Sequence, residues 1–157
     1  MKKADDDTSA RGTGWVATQF ALAVAGLSAG PLWHSQWTGG ASLAGGALLI
    51  AFSALTGLLG KRDLGNNRTP FPRPKDDARL VTTGIYSRVR HPHYLSVICL
   101  GFGWALLWRS WPALALAAVQ IPFFDAKARY EERWLSTQFS EFTAYARRVK
   151  RFIPGVY

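Results

Sequence analysis

The chain has 157 residues, 48% hydrophobic and 18% charged, with a formal net charge of +9 and one cysteine, Cys99. That length is one domain's worth, and a lone cysteine excludes an internal disulfide or a thiolate metal site. The charge is not a nucleic-acid footprint, because the sequence offers no soluble basic face. From Gly12 to Gly60 there is no Asp, Glu, Lys or Arg, whereas a soluble domain carries charge at about a quarter of its positions. Concentrated apolar runs beside concentrated charge predict a membrane protein.

Met1 to Thr13 is polar, contains Asp5-Asp6-Asp7, and is expected to be disordered. The first apolar run, residues 14–33, reads as a membrane span. A cleaved signal peptide is the competing reading. The three aspartates ahead of the run oppose it, and so does topology, since removing the run would leave three spans. A charge-free turn with Trp33 and Trp37 suits an outer aromatic belt, and a second span follows over 41–60. Both approach the ~20 residues needed to cross a ~30 Å hydrocarbon layer. Gly26, Gly30, Gly45, Gly46, Ser53 and Gly57 provide small faces for close helix approach.

Lys61 to Arg79 reads as a loop in which Pro70, Pro72 and Pro74 push the preceding residues into extended conformations. It is either a rigid strap over a cytoplasmic pocket or an ordinary connector. Pro92 suits a first helical turn and opens a third span over 92–108. The turn Trp108-Arg109-Ser110-Trp111 leads into a fourth over 111–125, with Pro122 as a kink. Leu135, Phe139, Phe142, Ala146 and Val149 recur at three- and four-residue spacing, predicting one amphipathic helix over 127–150.

All basic residues except Arg109 fall before span one, between spans two and three, or after span four. With four spans these clusters share one side, the positive-inside pattern, and both termini are cytoplasmic. The expected fold is therefore an all-α, multi-pass integral membrane protein: four transmembrane helices plus a C-terminal amphipathic cytoplasmic helix, forming a single domain over 14–157.

No charged residue lies mid-span, which disfavours proton relays and ion paths. The ionisable groups crowd instead into Leu80–Tyr94, which carries Tyr86, Arg88, Arg90, His91, His93 and Tyr94 at the border of an apolar run. Such a border is read as both interface anchor and site. His91 and His93 flank Pro92 in a turn, a poor geometry for metal, and no metal site is expected. Spacing alone makes Glu131-Glu132 a solvated helix start.

The set Leu80-Val81-Thr82-Thr83-Gly84-Ile85-Tyr86, Arg90-His91-Pro92-His93-Tyr94, Glu131-Glu132 and Phe139 to Tyr145 resembles the isoprenylcysteine carboxyl methyltransferase family and its phospholipid methyltransferase relatives. The resemblance runs from about Leu64 to Pro154. It implies S-adenosylmethionine as cofactor, held at the cytoplasmic face, and a lipophilic carboxylate or amine as acceptor. By position it assigns Leu80, Val81, Tyr86, His91, Pro92, His93, Tyr94, Glu131 and Glu132 to the cofactor, with Glu131 on the methionyl ammonium. The family's substrate-anchoring arginine is replaced here by Lys127, a point charge rather than a fork, with Arg129 close by; Lys127, Arg129 and Arg90 are the catalytic candidates. Two other functions compete: an NADPH-dependent membrane reductase of sterol-reductase type, which shares an Arg-His-Pro-x-Tyr segment, and a non-catalytic membrane scaffold.

Overall fold

The computed structural model describes residues 12–35, 40–75 and 77–157. The expected disorder of Met1 to Thr13 therefore lies outside the described residues except at its last two positions, and Trp37 also lies outside them. Among the described residues the chain is all-helical without a strand: α1 Thr13–Leu32, α2 Ala41–Leu64, α3 Pro92–Leu107, α4 Trp111–Gln138 and α5 Phe142–Arg148, with short 3-10 turns at Gly65–Asn67 and Gly84–Ser87. Two helical stretches, Thr13–Leu32 and Ala41–Asn67, are long and apolar enough to cross a membrane; Pro92–Leu107 is apolar but shorter. Their outward sides carry exposed apolar residues, among them Phe20, Val24, Leu48, Leu55 and Leu58.

The largest departure from the sequence reading is at the C-terminal end. Residues 127–150 are not one amphipathic helix. α4 runs unbroken for 28 residues, about 42 Å at 1.5 Å per residue, so the expected fourth span and the first half of the expected interfacial helix are one rod. Past Pro122 the sequence is rich in good helix formers, and an i,i+4 pair between Asp125 and Arg129 at 2.7 Å spans the junction. The helix stops where Phe139 turns extended (φ −124°, ψ 111°), and the short α5 follows. α2 also runs further than expected, to Leu64.

The small residues seen in the sequence serve contacts within this one chain. α2 lies along α3, and α1 packs on α4 and α3. At the α2–α3 seam, a Cβ added to Gly46 would lie 2.9 Å from the Gly103 carbonyl oxygen, and one added to Gly103 would lie 2.9 Å from that of Gly46. Half-way along, Ser53 Oγ donates to the Ser96 carbonyl at 2.7 Å and Ser96 Oγ donates to the Ser53 carbonyl at 2.8 Å. Close approach allows both packing and interhelical hydrogen bonds where lipid provides no hydrophobic drive. At the opposite end Gly30 accommodates Trp104 and Trp108. Ser110, fully buried, ties α1 to α4: its hydroxyl donates to the Ala29 carbonyl at 3.0 Å and accepts from the Ala113 amide at 3.3 Å.

The other end is held by Glu132. Its carboxylate accepts from Arg90 Nε at 3.0 Å, His91 Nε2 at 3.0 Å and Arg151 Nη2 at 2.8 Å. Backbone bonds run in parallel: the Arg90 amide donates to the Lys150 carbonyl at 2.9 Å and the His91 amide to that of Arg151 at 3.1 Å. Burial pushes the Glu132 carboxyl up, but hydrogen bonds from His91 and Arg151 and the charges of His91 and Arg90 outweigh it, holding the group well below the usual carboxylate range.

Gly103→Ala forces the α2–α3 seam apart and lowers thermal stability in detergent by about 1–3 kcal/mol, the range for overpacking. Gly14→Ala, which meets nothing within 4 Å, leaves it unchanged. Glu132→Ala strands partly buried cations and costs about 3–5 kcal/mol. Because the folded-state pKa of Glu132 is depressed, its stabilisation is present above the unfolded value of about 4.3 and is lost progressively as pH falls from there through the lower folded-state value. Circular dichroism across that acid window finds a weaker pH dependence in Glu132→Gln than in the parent.

Candidate active site

The site begins with a tight turn. Gly84 has φ +60°, and a Cβ there would collide with the Asp63 carboxylate, so only glycine fits. Asp63, at the end of α2, accepts from the Ile85 amide at 2.8 Å. This pins the Gly84–Ser87 turn and buries Tyr86. From the far side, Tyr145 Oη donates to the Tyr86 carbonyl at 2.6 Å. Burial pushes the Tyr86 phenol above its usual range, and the nearby Glu131 charge adds to the shift. Tyr145 is pushed up to about 12 by burial, with Arg90 opposing and Glu132 adding. Neither ionises near neutral pH; both act as hydrogen-bonding groups.

Next in the chain, Arg90 turns its guanidinium toward the C-terminal segment. Besides Glu132 it donates to the Ala146 carbonyl at 2.7 Å and to the Val149 carbonyl, satisfying carbonyls that the end of α5 leaves open. The His91 ring stacks on Tyr94, centroids 5.2 Å apart and planes 1° off parallel. Tyr94 Oη donates to Glu131 Oε2 at 2.6 Å, and His91 Nδ1 lies 3.8 Å from the same oxygen. His93 Nδ1 sits 3.3 Å from Tyr86 Oη, its ring against Gly60.

These groups line one cavity of about 500 Å³, bounded by the Pro-rich segment after α2, the Leu80–Val97 region, and one face of α4. That volume lies within the ~300–1,000 Å³ range of small-molecule sites. The segment 67–74 forms one wall, with Pro72 fully buried. It is tied down at several points. Lys75 Nζ donates to the Asn66 carbonyl at 2.7 Å, Gln138 Nε2 donates to the Lys75 carbonyl at 2.9 Å, and the Arg73 guanidinium sits 5.1 Å from the centre of the Trp134 ring. Of the two readings of the loop, the strap describes this arrangement.

Of the residues singled out from sequence, Leu80, Val81, Tyr86, Arg90, His91, Pro92, His93, Tyr94, Lys127 and Glu131 line the cavity; Glu132 and Arg129 do not. Glu132 is taken up by the ion-pair network. Arg129 is 58% exposed, 2.7 Å from Asp125 and 3.1 Å from Tyr157 Oη. The physical reason is helical phase. Lys127, Glu131 and Leu135 recur every four residues and share a face, while Glu132 and Arg129 are rotated out of it. That spacing was the signal for sorting the two glutamates.

Gln19 of α1 also lines the cavity, and sequence reasoning passed over it. Its signal was being the one amide side chain in the first apolar run, residues 14–33. Lys127, 1% exposed, donates to Gln19 Oε1 at 2.5 Å and to the Pro70 carbonyl at 3.4 Å, with its Nζ 5.3 Å from the Tyr94 ring centre. Burial lowers the Lys127 pKa, and the charge of Glu131 partly opposes that.

A profile of the phospholipid methyltransferase family matches residues 41–141. The chain is 34% identical over 86 residues to protein-S-isoprenylcysteine O-methyltransferase B of Arabidopsis thaliana, covering 54% of this chain and 44% of that protein. It is 31% identical over 115 residues to the protein-S-isoprenylcysteine O-methyltransferase of Saccharomyces cerevisiae, covering 71% and 48%. It is also 37% identical over 76 residues to the cobalt-zinc-cadmium resistance protein CzcN of Cupriavidus metallidurans, covering 48% and 35%. The chain thus spans about half or less of the length of these relatives. With more than half of its own length matched, the chain belongs to the phospholipid methyltransferase family, a family of membrane methyltransferases.

Proposed function

We propose that this chain is a multi-pass membrane protein with four spans and cytoplasmic termini. In this reading it binds S-adenosylmethionine in the cavity beside Glu131 and methylates a lipophilic carboxylate or amine. The observation that carries the reading is the Glu131 carboxylate in that cavity, held by the Tyr94 hydroxyl at 2.6 Å. Glu131 retains acceptor capacity for an ammonium group, a charge-assisted bond. The tyrosines and prolines of the wall offer flat apolar surface to a purine. The donor set therefore suits this cofactor.

When bound, S-adenosylmethionine supplies an electrophilic methyl group on a sulfonium. A carboxylate or an unprotonated amine is already nucleophilic, so the chain's task is positioning. Glu131 and Tyr94 fix one end of the cavity. The strap over 67–74 forms one wall of it. Tyr86 and His93 form a second hydrogen-bonded pair in its wall. In this reading α4 crosses a ~30 Å hydrocarbon layer and extends past it, so Lys127 and Glu131 would lie at the interface, where a polar cofactor from the cytosol and a lipid from the bilayer can meet.

Isothermal titration of the purified protein with S-adenosylmethionine tests this. The parent binds, and Glu131→Ala weakens binding tenfold or more, as expected for loss of a charged hydrogen bond of about 1.5–3 kcal/mol. Absence of binding by the parent, or equal affinity in the variant, overturns the assignment. A thermal shift with NADPH alone would favour the reductase.

A further inference from the structure

Lys127 is a buried cation whose contacts among the described residues are all neutral. Among the described residues its contacts are the Gln19 side-chain oxygen, the Pro70 carbonyl and the Tyr94 ring. Glu131, on the same face of α4, acts on it only through longer-range attraction. Buried charges are ordinarily paired. Both Lys127 and Gln19 line the cavity, so a ligand there can supply the counter-ion.

Gln19 determines what can fill that position. An ammonium has only donors, so the bond from Lys127 Nζ at 2.5 Å fixes which way the Gln19 amide points. Its oxygen is committed, and its two N–H donors remain for the cavity. Lys127 and Gln19 together thus present N–H groups and one positive charge. Glu131 provides the opposite character one helical turn along α4. The cavity therefore has an acidic subsite at Glu131 and a cationic, donor-rich subsite at Lys127 and Gln19. The second is completed by α1, a helix that lies wholly outside the family-matched residues 41–141.

We propose that Gln19 is a specificity-determining residue: by orienting Lys127 and adding its own amide donors, it makes this end of the cavity select a lipid bearing an anionic oxygen group, carboxylate or phosphate. The proposal rests on the reading of the cavity as a methyltransferase site only in calling that lipid the acceptor. The anion preference itself is measured without cofactor.

The test uses the full chain in an uncharged detergent, with sodium decanoate, decyl phosphate and decylamine as probes in microscale thermophoresis. The parent binds at least one of the two anions tenfold or more tighter than the amine, and the tighter of the two assigns carboxylate or phosphate. Gln19→Glu gives Lys127 an internal counter-ion and lowers that selectivity at least tenfold. Gln19→Leu, which removes the donors without adding charge, lowers it at least threefold and serves if the charged variant fails to fold. A parent that binds all three probes within threefold, or Gln19 variants that weaken all three equally, overturns the proposal, because a structural role would not change the ratio. S-adenosylmethionine is titrated in parallel. Its failure to bind overturns the methyltransferase reading alone, since the anion-to-amine ratio is still read.

Discussion

The architecture depends on one carboxylate. Glu132 receives three donors from two separate stretches of chain, Arg90 and His91 ahead of α3 and Arg151 near the end. Removing two charges from water costs several kcal/mol per ion, and only good geometry with further hydrogen bonds offsets it. The paired backbone bonds at Arg90–Lys150 and His91–Arg151 supply that geometry. Because His91 uses one ring nitrogen on Glu132 and lies flat against Tyr94, the structural network and the cavity wall share a residue. The fold is thereby coupled to the site through His91.

This coupling explains why adjacent glutamates have unlike tasks. Successive residues on a helix point about 100° apart. On α4, Glu131 therefore faces the cavity while Glu132 faces the C-terminal segment. The first keeps capacity for a ligand; the second has its lone pairs taken by the protein. Asp125 and Arg129 lie on the side of Glu132 and engage Arg151 and Tyr157, which keeps a surface arginine out of the site.

Much of this was legible in the residues. The charge-free stretch to Gly60 marks α1 and α2, Pro92 marks the start of α3, and the dense Leu80–Tyr94 stretch marks one wall of the cavity. The end of α4 was not legible, because Phe139 and Phe142 continue an apolar period straight across the break; a period counts faces and cannot register one extended residue between two helices. The partner of Lys127 was also hidden. Gln19 lies 108 residues away in sequence, and only packing of α1 on α4 brings them together. The two small faces of α2 and α3 were visible as composition, but which carbonyl each glycine meets depends on register between helices.

The strap has a thermodynamic corollary. Pro70, Pro72 and Pro74 narrow the conformations of the unfolded chain as well as the folded one, and the segment is then clamped at Asn66, Gln138 and Trp134. A wall fixed in this way leaves little backbone to be ordered when the cavity fills. Association should then be governed by contacts and desolvation more than by loop entropy, and this side of the cavity behaves as a mould rather than a hinge.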